Sequence, residues 1–173
     1  MSQEIKVDTE LSSGDVQEFN LWFSLNSRII VTSFSVVAYF AIMLAITKNY
    51  STSSLSILAV TAVGLAIILW FITRSSLTKK SKRAFESDNQ SKLPQSYVIS
   101  DEGIRHQSDS GSGHVKWEEI YKIGETASLF AFFVSANQAL ILPKRFFQSE
   151  DDKQFFKELA RKHMFSNRVK FKG

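Results

Sequence analysis

Residues 29–47, IIVTSFSVVAYFAIMLAIT, and residues 55–73, LSILAVTAVGLAIILWFIT, decide how this chain is read. Each run is 19 residues long and uncharged. At a helical rise of about 1.5 Å per residue such a run reaches roughly 28 Å, the thickness of a bilayer's hydrocarbon core. Only seven residues, 48–54, separate the two runs, so the chain is expected to cross and return as a helical hairpin. The first run starts after an acidic leader rather than a basic one. It is therefore expected to stay in the protein as a signal-anchor span.

Charge sets the expected orientation. The linker at 48–54 holds one cation, Lys48, whereas Arg74, Lys79, Lys80, Lys82 and Arg83 follow the second run within ten residues. Cytoplasmic flanks of membrane helices carry the excess of Lys and Arg. Both termini are thus expected in the cytoplasm of a multi-pass protein of the inner or plasma membrane. Trp22, Tyr50 and Trp70 suit the interfacial aromatic belts. The same basic border suits anionic lipid head groups. Within the runs the polar residues are Thr32, Ser33, Ser35, Thr61 and their like, with no ionisable group at depth, which disfavours a transporter or pump.

The remaining residues are expected to build one small domain. The chain has no cysteine, which excludes a disulfide framework, a thiolate metal site and a cysteine nucleophile. Residues 97–100 read as a strand, Asp101-Glu102-Gly103 as a turn needing positive φ at the glycine, and Ile104 onward as the returning strand. After a Ser/Gly loop, residues 114–117 read as strand and 118–120 as a bend or single helical turn. Residues 128–135, rich in Phe, read as a buried strand paired with 139–142. Ser149 then caps a helix with Glu150, Asp151 and Asp152 in its first turn and Phe155, Phe156, Leu159 and His163 at helical spacing.

Ahead of the hairpin, Ile5, Val7 and Thr9 alternate with charged residues like an edge strand, and residues 12–15 cap a helix through Val16, Phe19, Trp22 and Phe23. A lone strand cannot bury its apolar face. Two places are open to it: the sheet of the C-terminal domain, or the bilayer surface. The expected layout is residues 1–28 as strand and amphipathic helix, 29–73 as transmembrane hairpin, 74–95 as a basic connector and 96–173 as a cytoplasmic domain.

Tyr97 to Ile104, Trp117 to Ile123, and Leu142-Pro143-Lys144-Arg145-Phe146-Phe147 ahead of a terminal helix follow the acidic N-terminal strand and helix and the hairpin. In this order they resemble the YcxB-like family of bacterial membrane proteins. The resemblance implies an α+β membrane protein in which a small pleckstrin-homology-like antiparallel sheet is closed by a C-terminal helix. The family supplies fold and location, and no settled activity.

Pro143, Lys144, Arg145 and Phe146 form the candidate interaction surface: two cations to meet a carboxylate or lipid phosphate, and a ring for an apolar contact. The plainer alternative is that Pro143 ends a strand, Phe146 or Phe147 plugs the sheet and the cations are solvated. Trp117 is expected in the core, and His163 is expected to pack or cap. His106 and His114 flank a loop, but two histidines without a third ligand make a poor metal site. Glu118 and Glu119 are adjacent and point apart, and no nucleophile constellation or phosphate loop is present, so no catalytic residue, metal or cofactor is assigned. The cations gather at the membrane border and the aromatics read as core, which argues against nucleic acid. The expectation is a non-enzymatic membrane-anchored module that binds a protein partner, a second copy of itself or the lipid surface. Immunity to a membrane-active peptide is the alternative, and a lipid-acting enzyme or transporter is the least favoured.

Overall fold

A computed structural model describes residues 4–47, 51–89, 92–109 and 111–171. It is an α+β chain that divides into two compact units, one formed by the described parts of Met1–Phe19 and Lys82–Gly173, the other by Asn20–Ser81.

The helical unit contains the two apolar runs. After α1 (Ser13–Phe23) come α2 (Leu25–Ile46) and α3 (Thr52–Ser87). Both α2 and α3 are long and apolar enough to cross a membrane. Their apolar side chains face outward, with Phe34 74% and Val60 71% exposed, the reverse of a soluble core helix. Tyr39 donates to the Thr61 hydroxyl at 2.8 Å and Asn20 to the Ser81 hydroxyl at 2.9 Å, so polar bonds link the helices. The stretch expected as a connector from residue 74 is helix as far as Ser87. It contains no proline or glycine, and Lys82 and Glu86 form a pair one turn apart at 3.7 Å, so nothing in it stops the helix.

Among the described residues the other unit holds eight strands and α4. β1 (Ile5–Thr9), β2 (Gln95–Ser100), β3 (Gly103–Ser108) and β4 (Gly111–Val115) form one sheet in that order, antiparallel throughout. Of the two places open to the N-terminal strand, the sheet is the one occupied. Ile5 pairs with Ile99 and Thr9 with Gln95, which buries Ile5, Val7 and Thr9 on one side while Lys6 and Asp8 face solvent. Gly103 takes the expected positive φ, +141°, at the turn between β2 and β3.

β5 (Lys122–Glu125), β6 (Leu129–Phe133), β7 (Ala139–Pro143) and the short β8 (Val169–Lys170) form the second sheet, ordered β7-β6-β5-β8, with β8 parallel to β5. Every residue of β6 is buried. Trp117 lies in a single 3-10 turn, Trp117–Glu119, rather than at the end of the preceding strand. Its indole N–H donates to the Ser100 carbonyl at 2.9 Å, anchoring that turn to the end of β2.

α4 (Glu150–His163) closes the core. Ser149 Oγ accepts from the Asp152 backbone N–H at 3.1 Å, the N-cap bond its sequence announced. Phe156 sits at 4.9 Å, ring to ring, from Phe130, and both are fully buried with Ile99, Ile120, Leu142 and Leu159. His163 packs, its ring stacked on Trp117 at 6.0 Å, while its Nε2 lies 2.9 Å from Asp101.

Candidate functional site

The Pro143–Phe146 element follows β7 directly. Pro143 is buried at the strand's end, and Lys144–Phe146 form a 3-10 turn. The Lys144 backbone N–H donates to the Ser128 carbonyl at 2.8 Å, holding the turn against the loop before β6. The two cations therefore leave from a fixed backbone in different directions.

Lys144 turns inward. Its Nζ lies 2.6 Å from Glu125 Oε1 and donates to the Thr126 carbonyl at 2.9 Å. Lys157 of α4 reaches the same Glu125 oxygen at 3.0 Å. Glu125 is 5% exposed, so a carboxylate on β5 is buried between two ammonium groups from separate elements.

Arg145 turns toward α1. Its Nη1 and Nη2 donate to Asp15 Oδ1 and Oδ2 at 2.5 and 2.7 Å, a two-pronged guanidinium–carboxylate pair. Asp15 also accepts from the Ser12 backbone N–H at 2.7 Å, so one carboxylate both caps α1 and receives Arg145. Burial pushes the Asp15 carboxyl up, and the bonds from Arg145 and Ser12 outweigh it and hold it below the ordinary carboxylate range. One turn on, Glu18 accepts from the hydroxyls of Thr126 and Ser128. Burial again opposes ionisation, and the Ser128 and Thr126 bonds again win, leaving Glu18 lowered.

The element expected to present two free cations thus has both engaged within the chain, because buried or half-buried carboxylates lie within reach on β5 and α1. Phe146 is half-buried against the core, with the Arg145 guanidinium 4.5 Å from its ring centroid. What the arrangement does is clasp the start of α1, which runs on into the hairpin, to the loop and turn flanking β6 and β7. Sequence reasoning gives no role to Glu18, Glu125 or Lys157, and gives Asp15 only that of a helix cap. For Glu125 a signal was present: it is the one acid between Ile123 and the Phe-rich run.

Arg74, Lys79, Lys80, Lys82 and Arg83 are exposed along α3, the basic border drawn from sequence. Trp22 and Trp70 are half-buried, and Tyr50 lies outside the described residues. Register places His106 opposite Gly113 and His114 opposite Arg105, which sends the two histidine side chains to opposite faces of the sheet. Among the described residues no group of three His, Cys, Asp or Glu side chains is placed to hold a metal ion.

Residues 99–160, from the end of β2 into α4, match the model of the YcxB-like protein family. Over 93 residues the chain is 32% identical to a Bacillus subtilis (strain 168) protein described as "Uncharacterized protein YcxB", an alignment covering 54% of this chain and 50% of that one. The chain thus spans about half the length of the curated relative it matches. No solved structure matches it.

Proposed function

Residues 99–160 of this chain are a YcxB-like domain, and from that premise we propose that the protein is a membrane-anchored interaction module. In this reading α2 and α3 form a transmembrane hairpin in the inner or plasma membrane. The strand-rich unit is a pleckstrin-homology-like domain on the cytoplasmic side, where it binds a protein partner, a second copy of itself or the lipid surface.

The observation that carries the reading is the pairing of β1 with β2. Residues 5–9 precede the hairpin and residues 95–99 follow it, yet they are neighbours in one sheet. A chain that leaves this domain into a bilayer and returns to the same sheet must cross an even number of times, which two apolar helices with outward-facing side chains supply. The exposed cations of α3 favour the cytoplasmic side for that domain. Support for the pleckstrin-homology-like description comes from two sheets sharing one core with α4 packed over it.

The test is protease access in sealed, oriented membrane vesicles, with an epitope tag at each terminus. Cleavage of both tags only from the cytoplasmic face is expected. Tags cut from opposite faces would remove the hairpin and the reading built on it.

A further inference from the structure

Among the described residues, three buried polar atoms on one stripe of α2 have no hydrogen-bond partner: Nε and Nη1 of Arg28, and the hydroxyl of Thr32 one helical turn later. Arg28 is only 9% exposed. Its Nη2 donates to the Leu21 carbonyl at 2.9 Å, and its guanidinium carbon lies 4.8 Å from the centroid of the Trp70 ring. Neither neighbour carries a formal negative charge. Among the described residues no acidic side chain forms an ion pair with Arg28. A buried cation without a counter-ion, beside unpaired donors, is a costly arrangement that an anion with several acceptor oxygens would relieve.

Position along the hairpin narrows the anion. Arg28 immediately precedes the first apolar run, and Trp70 lies three residues before the end of the second. In an antiparallel hairpin both then stand at the same end, at the level where lipid phosphates meet the hydrocarbon. Arg74, exposed and one turn beyond Trp70 on the same face of α3, adds a second cation there.

We propose that Arg28 and Thr32 hold the phosphate of an anionic membrane lipid, with the Trp70 ring lying against the guanidinium as its cap. The planar guanidinium and the threonine hydroxyl supply donors suited to phosphate oxygens. Trp70, half-buried over the guanidinium, is the side chain that must move to admit the head group. A net-negative head group is favoured over a zwitterionic one, which would bring its own cation to a site already positive. The proposal rests on the membrane reading above.

The test uses the full-length protein in nanodiscs containing an equal mixture of phosphatidylglycerol and phosphatidylcholine, with brominated acyl chains on one lipid or the other. The share of tryptophan emission due to Trp70 is obtained by difference from Trp70→Phe. Stronger quenching of Trp70 by brominated phosphatidylglycerol is expected, reflecting roughly fivefold local enrichment. Arg28→Gln should abolish the preference while both lipids still quench, which shows that the variant is inserted, and Arg28→Lys should keep part of it. Equal quenching in the unaltered protein, or a preference that survives Arg28→Gln, overturns the proposal. Loss of the preference on adding inorganic phosphate would assign the site to free phosphate and overturn the lipid as its source. Absence of quenching from either lipid would overturn the membrane reading and this inference with it.

Discussion

Arg145 and Asp15, 130 positions apart in sequence, are joined by two guanidinium–carboxylate hydrogen bonds of 2.5 and 2.7 Å. Asp15 is nearly buried and Arg145 is about half exposed, so the two partners are not equivalent. Removing Arg145 leaves a desolvated carboxylate. Removing Asp15 leaves a cation that solvent can reach.

Arg145→Ala should therefore destabilise the protein more than Asp15→Asn, by about 1–2 kcal/mol after allowance for solvent screening at Arg145. Arg145→Lys should recover only part of the loss, since an ammonium cannot make both bonds in one plane. Chemical denaturation of the detergent-solubilised protein, arranged as a double-mutant cycle, measures the coupling. A coupling near zero would show that the pair adds nothing to stability.

Asp15 and Glu18 give this region a pH dependence of known sign. Both carboxyls are held below their ordinary values of 3.8 and 4.5, so the folded form releases its protons more readily than the unfolded chain. The stability they contribute is complete above about pH 5 and is lost as pH falls through the lowered values. Thermal melts on acidification should show this decline, and Asp15→Asn with Glu18→Gln should flatten it. Asp101 and Glu150 are lowered too, by Lys162 and His163 and by Lys153 respectively, but they lie exposed at the surface. High salt should shrink their part more than that of the clasp, whose carboxylates are less exposed.

The buried Glu125 is a stricter case. With Lys144 at 2.6 Å and Lys157 at 3.0 Å, Glu125→Ala should strand two largely buried cations and cost about 3 kcal/mol. Glu125→Leu combined with Lys144→Met and Lys157→Met should be more stable than Glu125→Leu alone. The triple variant removes the cations along with their partner and leaves apolar groups beside the Phe130 ring, which both ammonium groups approach, at 5.0 and 5.8 Å. Denaturant midpoints of the two variants decide between these orders.

Much of this architecture was legible where a local rule suffices. The Ser149 cap, the acidic first turn of α4, the glycine at 103 and the alternation of Ile5, Val7 and Thr9 each carry their own instruction. β5 was not legible as a strand. Lys122-Ile123-Gly124-Glu125 has one β-favouring residue, and its extended form comes from pairing with β6 and β8 on either side. The continuation of α3 past the apolar run has no local signal, because the change to polar residues at 74 looks like an end although polarity alone does not stop a helix. The candidate site was legible only in part. Sequence marks Lys144 and Arg145 as notable cations, but which carboxylate each meets is set by tertiary placement, and by local rules Asp15 is a helix cap alone.

Gly103 and Gly111 both lie at positive φ, +141° and +154°, and they separate backbone preference from collision. A Cβ at Gly103 would stand 2.4 Å from the Val115 carbonyl and 3.0 Å from the Lys116 Cα, whereas at Gly111 no atom of the described residues lies within 4 Å. Gly111→Ala should cost about 1–2 kcal/mol, the expense of the conformation alone. Gly103→Ala should cost more, because the nearest atom it meets, the Val115 carbonyl oxygen, is backbone and cannot rotate away. Val115 is two residues from Trp117, whose indole holds the Ser100 carbonyl, so the displacement should reach the buried indole. Gly103→Ala should then shift the Trp117 share of the fluorescence toward the red while Gly111→Ala leaves it in place. Equal loss of stability with no spectral difference would mean that β4 moves aside freely and that the turn is not held as tightly as these distances require.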